Sequence, residues 1–199
     1  MAELTDAQRE RYGRQILLDR IGEAGQQRLL GARILLVGAG GLGAPAGLYL
    51  AGAGVGQVTI ADSDTVMAGN LHRQVVHTEE RVGWNKAESA AAALRARNSD
   101  VAISPLPRAL EGDLLRDMVT EADLVVDASD SFATRYAVNA ACLTAGVPLV
   151  SGAVIRAEGQ VMVLPFDTDP DAACYRCTYR EPPPSDTAER CAVTGVLGP

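Results

Sequence analysis

The chain has 199 residues, 47% of them hydrophobic, which is enough for one well-buried domain and short for two. Eighteen basic against 25 acidic residues give a formal charge of −7, which disfavours nonspecific nucleic-acid binding because that needs a basic surface. No apolar run approaches the roughly 18 residues of a membrane span, and the polar opening "MAELTDAQRERYGRQ" lacks the apolar centre of a secretory signal, so the expectation is a cytoplasmic protein without a membrane partner.

The first thirty residues read as a helical arm. Thr5 can cap a helix through "DAQRERYGRQILL", and "EAGQQRLLG" forms a second helix closed by Gly31. Strands and helices then alternate. "RILLVG" is a buried strand, "APAGLYLAGAG" a helix of small residues, "QVTIAD" a strand, "KAESAAAALRARN" a helix and "VAISPL" a third strand. A helix at "GDLLRDMVTEA" leads to the strand "LVVDASD", a helix in "SFATRYAVNAACLTAG", and strands in "VPLVSGA" and "GQVMVLP". Apolar runs of this length between helical patterns predict an α/β fold, a Rossmann-like, mostly parallel sheet with helices on both faces. Residues 166–199 are rich in Pro, Asp and Cys without periodicity and read as a long loop of the same single domain, residues 1–199.

"VGAGGLG" places Gly38, Gly40 and Gly43 in G-x-G-x-x-G spacing between a strand and a helix, and Asp62 ends the next strand. Glycines allow a tight turn and close backbone approach, the helix N-terminus favours phosphate, and a carboxylate can accept ribose hydroxyls. This predicts a nucleotide site but not which nucleotide, since a nicotinamide-dependent dehydrogenase would show the same pattern. The following stretch, Gly69-Asn70-Leu71-His72-Arg73-Gln74, is what such a dehydrogenase has no evident use for. Asn70, Arg73 and Gln74, with Lys86 at the start of the next helix and Asp130 at the end of "LVVDASD", fall at the carboxyl edge of the sheet, where ligands of open α/β sheets bind. Two cations, two amides and a carboxylate around one phosphate site suit phosphoryl or nucleotidyl transfer, with the acid able to hold Mg²⁺. The bland alternative makes Arg73 and Lys86 surface charges and Asp130 a helix cap before Ser131.

Four cysteines, Cys142, Cys174, Cys177 and Cys191, occur without a secretory signal, which favours metal binding or thiol chemistry over disulfides. Cys174-Tyr175-Arg176-Cys177 has zinc-knuckle spacing but supplies two thiolates where a structural zinc wants four ligands. A redox role is disfavoured for a pair in a loop with no following helix to lower a thiol pKa. Cys142, in "NAACLTAG", reads as a small core residue.

The pieces "RYGRQILLDRIGEAGQQRLLGARILLVGAGGLG", "YLAGAGVG", "NLHRQ", "VGWNKAESA", "VPLVSGAVIRAEGQV", "CYRC" and "CAVTGVLGP" together resemble the ubiquitin-activating-type adenylyltransferases ThiF, MoeB and HesA, which activate ubiquitin-like sulfur-carrier proteins. The resemblance runs across nearly the whole chain. It implies that Gly41 approaches the phosphates of ATP through its N–H and that Asp62 holds the ribose. Gly69 to Arg73 would wrap the triphosphate, Gln74 would support that loop, Lys86 would reach the phosphates and Asp130 would bind Mg²⁺. Arg14 resembles the arginine that crosses to the neighbouring subunit's ATP, which implies a homodimer; read alone it is one more charge on an amphipathic helix. Ser131 stands where the family more often has Asn, a change that bears on an adenine or phosphate contact. The family supplies a second C-x-x-C pair further on, and this sequence stops at Pro199, so the zinc site is half present. Cys191 matches a cysteine on a mobile crossover loop that in some members moves sulfur or acyl groups.

The expected reaction is attack of the carrier's C-terminal glycine carboxylate, at the end of a Gly-Gly tail, on the α-phosphorus of MgATP, giving an acyl-adenylate and pyrophosphate for thiamin or molybdopterin synthesis. A carboxylate is already ionised at pH 7, so no general base is needed. Only His72 and His77 are available as histidines, which fits. Two other readings stay open at this point: a nicotinamide-dependent oxidoreductase, and a noncatalytic scaffold that grips a carrier without turnover.

Overall fold

The computed structural model describes residues 3–180 and 198. Its centre is a six-stranded sheet in the order β3-β2-β1-β4-β5-β6. The strands are β1 (Arg33–Val37), β2 (Gln57–Ala61), β3 (Ala102–Leu106), β4 (Leu124–Asp127), β5 (Leu149–Ile155) and β6 (Glu158–Leu164). All neighbours are parallel except β5 and β6, which form an antiparallel hairpin with Leu149 opposite Leu164. The helices are α1 (Asp6–Ile16), α2 (Gly22–Gly31), α3 (Gly43–Ala53), α4 (Lys86–Arg97), α5 (Gly112–Thr120), α6 (Phe132–Ala145) and the single turn α7 (Tyr175–Thr178). The predicted Rossmann-like sheet is therefore observed, with its elements in the expected order.

β1 is buried on both faces because its alternating side chains enter two different cores. Ile34 and Leu36 pack with Val58, Ile60, Ala90 and Leu94 under α3 and α4. Leu35 and Val37 pack with Leu115, Val119, Val125 and Val138 under α5 and α6. The small residues of α3 have a packing reason, since a Cβ on Gly47 would lie 3.3 Å from the side chains of both Leu36 and Leu94.

The N-terminal arm is docked on this body. Thr5 caps α1 as expected, in a reciprocal box with Gln8. Tyr12 is buried and its hydroxyl accepts from Asn98, while Gln15 and the buried Gln26 both donate to the Ala53 carbonyl at the end of α3. The arm thus sits against the C-terminal end of α3, remote from the glycine turn at its N-terminal end.

β4 ends at Asp127, three residues before the predicted end at Asp130. Asp127 is 1% exposed; its carboxylate accepts from the Ser129 N–H at 3.0 Å and the Ser151 hydroxyl at 3.3 Å. Burial outweighs those bonds and raises its pKa above the ordinary carboxylate range. The folded state then holds this proton more tightly than the unfolded chain, so stability falls as pH rises from about 3.9 through the raised value. Asp127→Asn keeps the acceptor for Ser129 and offers a donor to Ser151. Its melting temperature is expected to gain on the parent as pH rises from about 3.9 upward; a difference that stays constant over that rise would contradict the buried-proton account.

Candidate nucleotide site

The exits of β1, β2 and β4 meet at the point where strand order reverses, the usual ligand crevice of an open α/β sheet. The Gly38 N–H donates to the Ala61 carbonyl and the Ala128 N–H to the Val37 carbonyl, which ties the three exits together. Gly38 has φ +94°, a conformation that disfavours side chains, and a Cβ there would lie 2.8 Å from the Ala128 carbonyl oxygen. The turn closes on itself so tightly that a Cβ on Gly43 would fall 1.9 Å from the Gly38 oxygen. Asp62 braces the turn from β2: one carboxylate oxygen accepts the Ala39 N–H and the other the Asp64 N–H, both at 2.8 Å.

Among the described residues, neither the Gly40 nor the Gly41 N–H has an acceptor. α3 begins with no side-chain cap and no acidic residue in its first turn. Unsatisfied donors and a positive helix end make an anion site.

The loop from Gly69 to Gln74 folds over this turn. A Cβ on Gly41 would sit 3.7 Å from the Arg73 Cγ and Cδ atoms, so the arginine stem lies across the glycine. Its guanidinium donates to the Asn70 side-chain oxygen at 3.0 Å and passes 3.4 Å from the His72 ring. Gly69 and His72 are exposed and Leu71 is half-buried. Gln74 is 3% exposed, with its amide nitrogen 3.7 Å from where a Gly40 Cβ would be. Its side-chain oxygen is buried without a hydrogen-bond partner.

The β4 side completes the crevice. Asp130 lies three residues beyond the strand, exposed, with no hydrogen bond or ion pair among the described residues. It does not cap α6. Ser131 does, its hydroxyl accepting from the Thr134 N–H at 3.4 Å. Ser and Asn are comparable caps, so Ser131 keeps that role in place of the Asn more usual in the resembled family. Arg135 reaches back from α6 and donates twice to the Ser129 carbonyl, fixing the segment before Asp130.

Lys86 is brought to this edge but is not free. Its ammonium is buried and bonds the Asp64 carboxylate at 2.7 Å, and its N–H donates to the Asp64 carbonyl. That contact takes one of the three ammonium N–H donors and leaves two for a phosphate. Arg14 is exposed in the last turn of α1, beside Leu17 and Leu18, which are 74% and 56% exposed. α3, of 11 residues and about 16 Å, separates that region from the glycine turn. Among the described residues predicted to touch the nucleotide, Arg14 is the one that the fold keeps away from its own chain's glycine turn.

Cys174 and Cys177 have sulfurs 3.4 Å apart, near enough to share one ion at about 2.3 Å from each. Among the described residues no group of three or more His, Cys, Asp or Glu could hold a metal, so two corners of a tetrahedron are present. The pair straddles a single helical turn, with Cys174 at its N-cap and Cys177 inside it, and among the described residues no helix follows it. Burial opposes ionisation of Cys174, but hydrogen bonds from Cys177, Asn139 and the Arg176 N–H outweigh it and lower the thiol pKa. Cys142 is core, as expected, its thiol pushed up to about 12 by burial. Cys191 lies outside the described residues. Among the described residues, no helix is long and apolar enough to cross a membrane.

A sequence profile of the ThiF family matches residues 12–199. The chain belongs to that family. It is 48% identical over 195 residues to the SAMP-activating enzyme E1 of Haloferax volcanii, covering 98% of this chain and 71% of that enzyme. It is 50% identical over 188 residues to the adenylyltransferase and sulfurtransferase MOCS3 of Mus musculus, covering 94% of this chain but 40% of MOCS3. Among solved structures, the tRNA N6-threonylcarbamoyladenosine dehydratase TcdA of E. coli in complex with ATP superposes with a TM-score of 0.72 at 31% identity, covering 77% of this chain and 63% of TcdA. The resemblance drawn from the sequence is thereby borne out, and the adenylyltransferase class with it; neither curated relative is named as a nicotinamide oxidoreductase.

For a ThiF-family chain, three site side chains escaped the sequence reading. Ser129, inside "DASD", has a buried hydroxyl with no hydrogen-bond partner. Arg135 and His77 are buried polar residues gripping carbonyls at the crevice. The available signal was a polar side chain set in apolar surroundings, as in "QVVH" and "ATRYAV".

Proposed function

We propose that this chain is the adenylylating unit of an enzyme that uses ATP to activate the C-terminal glycine carboxylate of a ubiquitin-like sulfur-carrier protein. The observation that carries the reading is the Arg73 stem lying across Gly41 while the Gly40 and Gly41 N–H groups are unclaimed among the described residues. That is a cradle for a polyphosphate with a cation as its cover. The ATP-bound state of the structurally similar TcdA supports the choice of nucleotide.

In this reading the turn's N–H groups and the α3 N-terminus hold the phosphates, and Asp62, whose oxygens each keep a lone pair, takes the ribose hydroxyls. The orphaned Gln74 oxygen and Ser129 hydroxyl supply further polar contacts. The carrier carboxylate attacks the α-phosphorus in line, the bond to the β-phosphate oxygen breaks, and pyrophosphate leaves as the acyl-adenylate forms. No proton moves, so the site needs charge and alignment rather than a base. Magnesium bound with ATP supplies charge neutralisation at the departing pyrophosphate, and Asp130, an exposed carboxylate with no partner among the described residues, is suited to hold it. Arg73 and Lys86 offset the remaining repulsion between two anions.

The test is carrier-dependent exchange of labelled pyrophosphate into ATP with a panel of carriers ending in Gly-Gly. A thiamin-type or molybdopterin-type carrier is expected to support it; no exchange with any carrier, with ATP binding intact, would favour the scaffold reading.

The homodimer belongs to the same proposal. Arg14 is too far from its own glycine turn and stands beside exposed apolar residues that suit a partner surface. Mixing Arg14→Ala and Asp130→Ala protomers, each inactive alone, is expected to restore up to about a quarter of parental exchange, from heterodimers that keep one intact site. No recovery would point to a site built within one chain. Zinc on Cys174 and Cys177, with two further ligands outside the described residues, and group transfer through Cys191 complete the proposal. Cys191→Ser should leave exchange unchanged.

A further inference from the structure

We propose that His77 is a positioning residue that aims the Gly40 N–H at the bound phosphate; the proposal rests on the nucleotide reading above. His77 is buried behind the glycine turn, with Nε2 3.0 Å from the Ala39 carbonyl oxygen and Nδ1 2.9 Å from the Ser89 hydroxyl. The carbonyl can only accept, so Nε2 carries the proton. A neutral ring then leaves Nδ1 to accept from Ser89, and one tautomer satisfies both partners.

The surroundings disfavour the charged ring. Burial lowers its pKa, Lys86 and Arg81 add to that, and the bond to Ala39 and the charge of Asp62 only partly oppose it. With both ring nitrogens engaged, His77 is suited to a fixed donor rather than to proton transfer.

The geometric consequence lies in the Ala39–Gly40 peptide plane. No peptide in the described chain is cis, so the Ala39 carbonyl and the Gly40 N–H point in opposite directions. Pulling the carbonyl inward onto His77 turns the Gly40 N–H outward, to the face that Arg73 covers. The Ala39 N–H is meanwhile held by Asp62 at 2.8 Å. Ala39 is therefore clamped at both of its backbone polar groups, from β2 by Asp62 and from the segment after the Arg73 loop by His77. A glycine-rich turn is otherwise free to rotate that peptide. The clamp spends no binding energy on reordering it when the phosphate arrives.

The test compares His77→Leu with His77→Gln in the full chain, reading KM for ATP and kcat in carrier-dependent exchange, MgATP binding by calorimetry, and thermal midpoint. Glutamine can donate to Ala39 and accept from Ser89; leucine can do neither. His77→Leu is expected to raise KM and the MgATP dissociation constant about tenfold with kcat within about threefold, and His77→Gln to return both to within about threefold of the parent. A Leu variant with lowered thermal midpoint but parental ATP affinity would overturn the proposal. So would a Gln variant that binds as poorly as Leu. Should His77→Leu not fold, Ser89→Ala removes the ring's anchor without touching the turn, and a KM for ATP identical to the parent's there overturns it equally. Failure of the unsubstituted chain to bind MgATP would instead sink the nucleotide reading itself.

Discussion

Arg73→Ala is expected to lower carrier-dependent pyrophosphate exchange about a hundredfold, and Asp130→Ala to remove it, with the thermal midpoint of both within a degree or two of the parent. The reasoning is electrostatic. Two anions must meet in a site whose surrounding protein carries a net charge of −7, so the local cations do what the general field cannot. Losing one preorganised charge-assisted contact in such a site costs roughly 3 kcal/mol of barrier, about two orders of magnitude in rate. Arg73 also holds Asn70 at 3.0 Å, so its loss loosens the whole flap over Gly41. Arg73→Lys keeps the charge but not the fork and should recover only part of the rate. Asp130 is exposed and bonds nothing among the described residues, so its removal should cost activity without cost in stability. Normal exchange in either alanine variant would dismantle the site assignment.

Gly43→Ala is expected to cost stability as well as binding. Its Cβ would stand 1.9 Å from the Gly38 oxygen, an impossible approach that backbone alone can relieve. Opening the turn separates α3 from β1 where the exits of three strands are tied, so a loss of about 3 kcal/mol or more is expected. MgATP binding, measured by calorimetry, should vanish because the N–H groups that form the cradle belong to that turn. Gly69→Ala is the control: a Cβ there meets nothing within 4 Å, and it should leave the thermal midpoint unchanged. A Gly43→Ala protein that melts and binds like the parent would mean the turn is looser than its geometry.

Much of this molecule is written locally. The strand β1 is a run of four buried aliphatic residues, and no local alternative competes with it. The capping box at Thr5, the glycine spacing of 38, 40 and 43, and the alternation of apolar strands with helices all lie within short windows, so periodicity and turn chemistry suffice. The elements, their order and the expectation of a nucleotide at the glycine turn follow from these. The family resemblance added the expected carrier and partner subunit.

What short windows could not settle is which of several similar residues faces the crevice. "LVVDASD" has two aspartates, and the sheet's register buries Asp127 beside the β5 neighbour Ser151 while leaving Asp130 outside. Lys86 is paired with Asp64, 22 residues away in sequence, because the Thr65–Asn85 bridge closes the intervening loop. His77 meets Ala39 only because that same loop returns beneath the glycine turn. Backbone pattern is set by residues a few positions apart, whereas the partners of a buried polar group come from whichever distant segments packing brings alongside; the first is contained in the chain's order, and the second exists only once the sheet has closed.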